Sequence, residues 1–217
     1  TLNANGKHSK CTATSERAPS ASACYRGGMA KPGPRQRRTT VLPAWVGGAV
    51  DFDRAYAGDA RIALAIDLAR RNVEHTTGGP FGAAVFDDGG RLVAAGVNRV
   101  EPLQSSLAHA EIMALVLAQH KLGRARLNAD GHRYTLATSA QPCCQCYGAL
   151  VWAGIDELLI AARAEDTEAL AGFDEGPLPA AWDGELTRRG IRVTRDLQRE
   201  SARAVLAMYA DRGGARY

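Results

Sequence analysis

The chain contains no apolar run approaching the roughly 18 residues of a membrane-spanning helix, which excludes a helical span. It has no internal repeat, so solenoid and propeller architectures are set aside. It also has no disulfide framework. Three of its five cysteines crowd between Cys143 and Cys146, a spacing that suits metal ligation better than crosslinking. A reduced, cytoplasmic setting is the expectation from that usage. The net charge of +4 hides another absence. Residues 1–44 carry eight Lys/Arg against the single acid Glu16, and the rest of the chain carries 19 Lys/Arg against 22 acids. Residues 45–217 therefore lack the basic excess of a surface built to clamp a polyanion, which argues against a nucleic-acid partner.

The first 44 residues show no hydrophobic periodicity and no apolar core of a secretory signal. Their Ser, Thr, Ala, Gly, Pro and Arg content is that of a disordered basic tail. Met29 is a candidate native start within it, and Cys11 and Cys24 carry no pattern. The whole chain of 217 residues is 46% hydrophobic, enough for one substantial core, expected beyond the tail over 45–217.

Periodicity predicts a helix from Asp53 to about His75, stopped by Thr77-Gly78-Gly79-Pro80. Phe81–Phe86 and Leu92–Asn98 are strand-like and joined by Asp87-Asp88-Gly89-Gly90, a hairpin signal. Then follow a helix from Ala108 to about Lys121, a strand from Arg133 to Thr138, a helix from Cys143 to Ala153 and a buried strand over Glu157–Ala162. A loop through Gly172 to Gly184, a short strand near Ile191-Val193 and a helix from about Arg195 to Asp211 complete the chain. Strand–helix–strand order places helices on the sheet faces and predicts a three-layer α/β/α domain.

Two of these helices begin with chemistry. His109-Ala110-Glu111 opens one, and Pro142-Cys143-Cys144-Gln145-Cys146 opens the other. Cys143 and Cys146, three apart at a helix start, point the same way, while Cys144 faces elsewhere. Free backbone N–H groups and the helix dipole there favour thiolates. One imidazole and two thiolates leave a tetrahedral zinc with an open position, the mark of a catalytic site. Glu111, two residues from the histidine, is then the proton carrier and not a ligand. A lone C-x-x-C or H-x-E means little; the two in this order, each at a helix start, are specific. The reaction they name is hydrolytic removal of an exocyclic amine from a nucleobase or similar heterocycle.

From about Asp59 to its end, the chain resembles the cytidine/deoxycytidylate deaminase superfamily, and within it bacterial guanine deaminases first and tRNA adenosine deaminases next. Gly79-Pro80-Phe81-Gly82-Ala83 resembles the segment that leads into the first strand and lines the base pocket. Asn98 resembles an asparagine that hydrogen-bonds the base, and Trp152-Ala153 a pair whose tryptophan helps close the pocket. Gly172-Phe173-Asp174 resembles a segment whose aspartate recognises guanine. Tyr217 resembles a terminal aromatic that covers an active site, carried across to the partner subunit.

The resemblance implies a mixed five-stranded sheet with helices on both faces. It implies one zinc per subunit on His109, Cys143 and Cys146, with Glu111 catalytic. Asn98, Ala83, Phe81, Trp152, Asp174 and Tyr217 would bind substrate in a homodimer with exchanged C-terminal segments. The expected activity is conversion of guanine to xanthine and ammonia. Cytosine, adenine or a triazine-like ring remains an alternative, as does a tRNA adenosine deaminase. Two departures bear on that choice: Ser105-Ser106 stands where the family usually has Asp-Pro, and Gln141 where it usually has Glu.

Overall fold

The computed structural model describes residues 42–217; the tail reading for residues 1–41 and the Met29 start lie outside the described residues. The elements are α1 (Trp45–Ala49), α2 (Ala60–Glu74), β1 (Gly82–Phe86), β2 (Leu92–Val97), α3 (Val100–Leu103), α4 (Ala110–Leu122), β3 (Thr135–Ala140), α5 (Cys144–Ala153), β4 (Glu157–Ala162), α6 (Ala164–Ala171), α7 (Trp182–Arg188), β5 (Arg192–Thr194) and α8 (Arg199–Asp211).

The sheet runs β2-β1-β3-β4-β5. β1 pairs antiparallel with both β2 and β3, while β3, β4 and β5 are mutually parallel. The expected mixed five-stranded α/β architecture is therefore observed. The first four strands are buried almost throughout, because a helical layer covers each face. On one face Ile62, Leu68 and Val73 of α2 pack with Val205 and Leu206 of α8 over Ala84, Phe86 and Ala161. On the other, Ala114 and Leu115 of α4, Leu150 of α5 and Leu186 of α7 pack over Val85, Leu136 and Ile160. Small side chains let the site-bearing helix lie close. A Cβ on Gly96 of β2 would collide with the Ala110 carbonyl and the Ala114 amide of α4.

Differences from the sequence reading sit at helix ends and in the C-terminal half. α2 starts at Ala60, seven residues after the expected Asp53, because Gly58 adopts φ +49° just ahead of it. α8 starts at Arg199 and not Arg195, after Asp196 and Gln198 take left-handed conformations. α7 occupies the end of the stretch expected to be loop. α6 had no apolar stripe to announce it; polar contacts define it. The Arg163 amide donates to the Asp166 carboxylate (2.9 Å), and Arg199 and Arg203 of α8 pair with the same group.

That carboxylate is 2% exposed, and the Arg199 guanidinium beside it holds its pKa well below the usual carboxylate range. Such a group contributes stability that is fully present above its unfolded pKa of about 3.9 and is lost as pH falls through the folded value. Asp166→Asn is expected to cost about 2 kcal/mol at pH 7, discounted because both arginines remain a third exposed. Urea melts at pH 7 and pH 3 check this: the deficit should shrink at the lower pH, and an unchanged gap would contradict it.

Candidate active site

α4 and α5 emerge from the same end of the sheet and aim their N-termini at one point. His109 is the N-cap of α4 and Cys143 the N-cap of α5, both with extended backbone; Cys146 lies in the first turn of α5. Cys143 Sγ is 3.4 Å and Cys146 Sγ 3.7 Å from His109 Nδ1. Ligands about 2.0 and 2.3 Å from one tetrahedral zinc would lie roughly 3.6 Å apart, so the three donors already have the spacing of a coordination sphere. They are the group placed to hold a metal among the described residues.

The electrostatics agree. The two buried thiols cannot both ionise unaided: one charge is held on Cys143. The hydrogen bond from Cys146 pulls the Cys143 thiol down to about 4, and that bond together with burial pushes Cys146 up. A divalent cation supplies what a second thiolate here requires. Cys144, between them, is exposed, as its place on the helix requires.

Glu111 enters from the first turn of α4 and is buried, with Thr138 Oγ1 of β3 donating to its Oε1 (3.2 Å). Burial, and secondarily the Cys143 charge, push its carboxyl above the usual carboxylate range. Phe81, Asn98, Gln141, Phe173, Asp174, Glu175 and Tyr217 join these groups around a space of about 40 Å³. That holds a few waters and is too small for a purine. Asn98 is 1% exposed, and its Oδ1 accepts from Val100 N (3.2 Å) and Gly79 N (3.4 Å). Its Nδ2 is thereby left for the pocket. Phe81 and Phe173 meet edge to face at 5.2 Å, and Tyr217 tilts over Phe173 at 5.0 Å. The last residues hook back over their own chain's pocket because Gly213 takes φ +68° and Tyr209 Oη donates to the Ala215 carbonyl (2.6 Å).

Three expected contacts differ. Trp152 is 80% exposed and lies away from the pocket: six residues beyond Cys146, it is about 240° round the helix. Ala83 is fully buried in mid-sheet between Gly96 and Thr138 and does not line the cavity. Asp174 stands at the mouth but is exposed, its Oδ1 engaged by Gly176 N (2.8 Å). Glu175 takes the inward place and was missed. Between Gly172 and Gly176, both of which take positive φ, burial alternates so that Phe173 and Glu175 share the buried side, and a period of two from Phe173 was the available signal. Glu175 is 9% exposed, and burial, then the Cys143 and Glu111 charges, raise its pKa to about 8. Of the two departures, Gln141 lines the pocket, whereas Ser105 and Ser106 do not.

Residues 59–162 match the model of the cytidine and deoxycytidylate deaminase zinc-binding region. A solved guanine deaminase from Nitrosomonas europaea is 47% identical, with a TM-score of 0.74 over 79% of this chain and 95% of that one. A solved mutant in complex with 8-azaguanine is also 47% identical, with a TM-score of 0.75 over 79% of this chain and 96% of that one. The guanine deaminase of Bacillus subtilis is 39% identical over 111 residues, which is 51% of this chain and 67% of that protein. The shared zinc-binding region, the likeness along nearly the whole of these solved relatives and the observed donor triad converge: the chain belongs to the cytidine and deoxycytidylate deaminase family and is a zinc-dependent deaminase.

Proposed function

We propose that the chain hydrolyses guanine to xanthine and ammonia, and that His109, Cys143 and Cys146 hold the zinc. The observation that carries the choice of base is that Asn98 and Glu175 line the same cavity as Glu111. Guanine offers a carbonyl and ring nitrogen that accept, and an N–H edge that donates. Asn98 Nδ2 matches the first as a donor, and the Glu175 carbonyl oxygen matches the second as an acceptor. Adenine lacks the ring carbonyl that Asn98 Nδ2 would meet. Zinc, when bound, holds and polarises the attacking water. Glu111 takes one proton from that water and passes it to the ring nitrogen, then takes the remaining proton of the added hydroxyl and passes it to the departing amine, while Thr138 fixes one of its oxygens. Phe81 and Phe173 pack against the base, and Tyr217 excludes bulk water. Ammonia release from a panel of free bases tests the assignment; turnover of another base without turnover of guanine would reject it.

The small cavity makes the Tyr217 segment a lid that opens for substrate. Tyr217→Ala is expected to lower kcat/KM by about tenfold, through leakage of water into the site. A variant with wild-type steady-state constants would show that the ring covers nothing of consequence.

The protein is a homodimer in this reading. The exposed Trp152 and a neighbouring groove lined by Ile112, Val116 and Ala149 offer the apolar surface for a second copy. Trp152→Asp should yield monomers in sedimentation equilibrium; wild-type protein already monomeric at micromolar concentration would reject the dimer. Cysteines 143, 144 and 146 are free, consistent with a reducing, cytoplasmic setting, and no described helix is long and apolar enough to cross a membrane.

A further inference from the structure

The loop that carries Asn98 into the site is held from behind by a residue outside the pocket. Asn72, in the last turns of α2, is 0% exposed, and every polar group of its side chain is engaged. Its Nδ2 donates both to the Gly79 carbonyl (2.8 Å) and to the Asn98 carbonyl (2.9 Å). Its Oδ1 accepts from Thr77 Oγ1 (2.8 Å), which in turn accepts from Trp45 Nε1 on α1 (3.0 Å). Two carbonyls on one side and a hydroxyl on the other fix which way the amide points. The chain passes so close here that a Cβ on Gly78 would collide with the Asn98 carbonyl and crowd Asn72 Nδ2.

These bonds bear on the base through a single long contact. The Asn98 side chain is anchored by Val100 N and, at 3.4 Å, by Gly79 N. Asn72 grips the main chain at both partners of that second contact. Without it, the buried Asn98 carbonyl loses its donor, the Gly79 carbonyl keeps only Phe81 N (2.9 Å), and the Gly79 segment is freer to draw away from Asn98 Oδ1. The Asn98 amide then loses one of two restraints on its orientation, and its Nδ2 no longer meets the base at a fixed place.

We infer that Asn72 is a positioning residue for substrate recognition, acting through Asn98, with Thr77 and Trp45 locking it in place. This rests on the reading above that Asn98 contacts the base. The role differs from plain core stabilisation in a measurable way, since its effect on substrate should exist only while the Asn98 side chain is there to be positioned.

The test is a double-mutant cycle on the zinc-loaded full chain, with guanine kinetics and 8-azaguanine affinity as readouts. Asn72→Ala is expected to raise KM, and the dissociation constant of 8-azaguanine, by about tenfold, one well-placed hydrogen bond's worth, with kcat within about threefold of wild type. In an Asn98→Ala background the same change should add nothing. Wild-type KM in Asn72→Ala, or effects that multiply in full in the double mutant, would overturn the inference. If instead Asn98→Ala alone leaves KM unchanged, it is the base-contact reading that fails. Should Asn72→Ala not fold, Thr77→Val, which leaves Asn72 present but unlocked, carries the test. A KM rise of about threefold that vanishes without the Asn98 side chain supports the role, and an unchanged KM overturns it.

Discussion

Glu111→Gln should reduce guanine turnover by about 10³- to 10⁴-fold, with zinc content at the wild-type level. The substitution preserves shape, and Gln Oε1 can still accept from Thr138 Oγ1 as the carboxylate does at 3.2 Å. What disappears is the capacity to take a proton and give it back. Glu111 is the buried carboxyl two residues from His109, and Glu175 lines the same cavity from the loop after α6. The loss should therefore fall on kcat, with 8-azaguanine affinity changed by less than about tenfold. Metal analysis, steady-state kinetics and ligand titration on one preparation check all three parts. A variant that retains substantial turnover would show that another group moves the proton.

Cys146→Ala is the second large effect. Cys146 is fully buried and supplies one of three donors to the metal, so its loss leaves His109 Nδ1 and Cys143 Sγ, 3.4 Å apart, as a two-ligand fragment. Zinc should fall far below one per chain, and activity with it, because two protein ligands do not hold the ion against buffer. The cavity left by one sulfur in a packed helix start costs about 1–2 kcal/mol besides. Added zinc should restore little. Retention of stoichiometric zinc after dialysis would mean that the ion sits elsewhere.

How much of this could be read from the chain depended on how local the physics was. His109, Glu111, Cys143 and Cys146 were legible because each pair sits on one helix start, where spacing alone fixes direction. The three-layer α/β/α class followed from strand patterning and apolar stripes, and the mixed sheet from the resemblance, whereas the strand order β2-β1-β3-β4-β5 depends on long-range pairings that no local pattern carries. Trp152 was misplaced by resemblance when helix geometry already turned it from Cys146. Ala83 was misplaced because a central strand buries its residues between neighbours, which no local pattern reveals. Asp174 and Glu175 are adjacent acids in a loop, and only the burial of Phe173 decides which faces inward. α6 escaped notice because ion pairs to α8, absent from any single segment, define its start. Asn72 escaped for the same reason: its partners Gly79 and Asn98 lie 7 and 26 residues away.

The most direct test is to incubate the purified chain with guanine before and after removing zinc with a chelator, following xanthine and ammonia together. The expected result is equimolar xanthine and ammonia from the zinc-loaded chain, none from the stripped chain, and recovery on adding zinc back. Guanine left intact by a chain carrying stoichiometric zinc, or turnover indifferent to the chelator, would contradict the proposed activity.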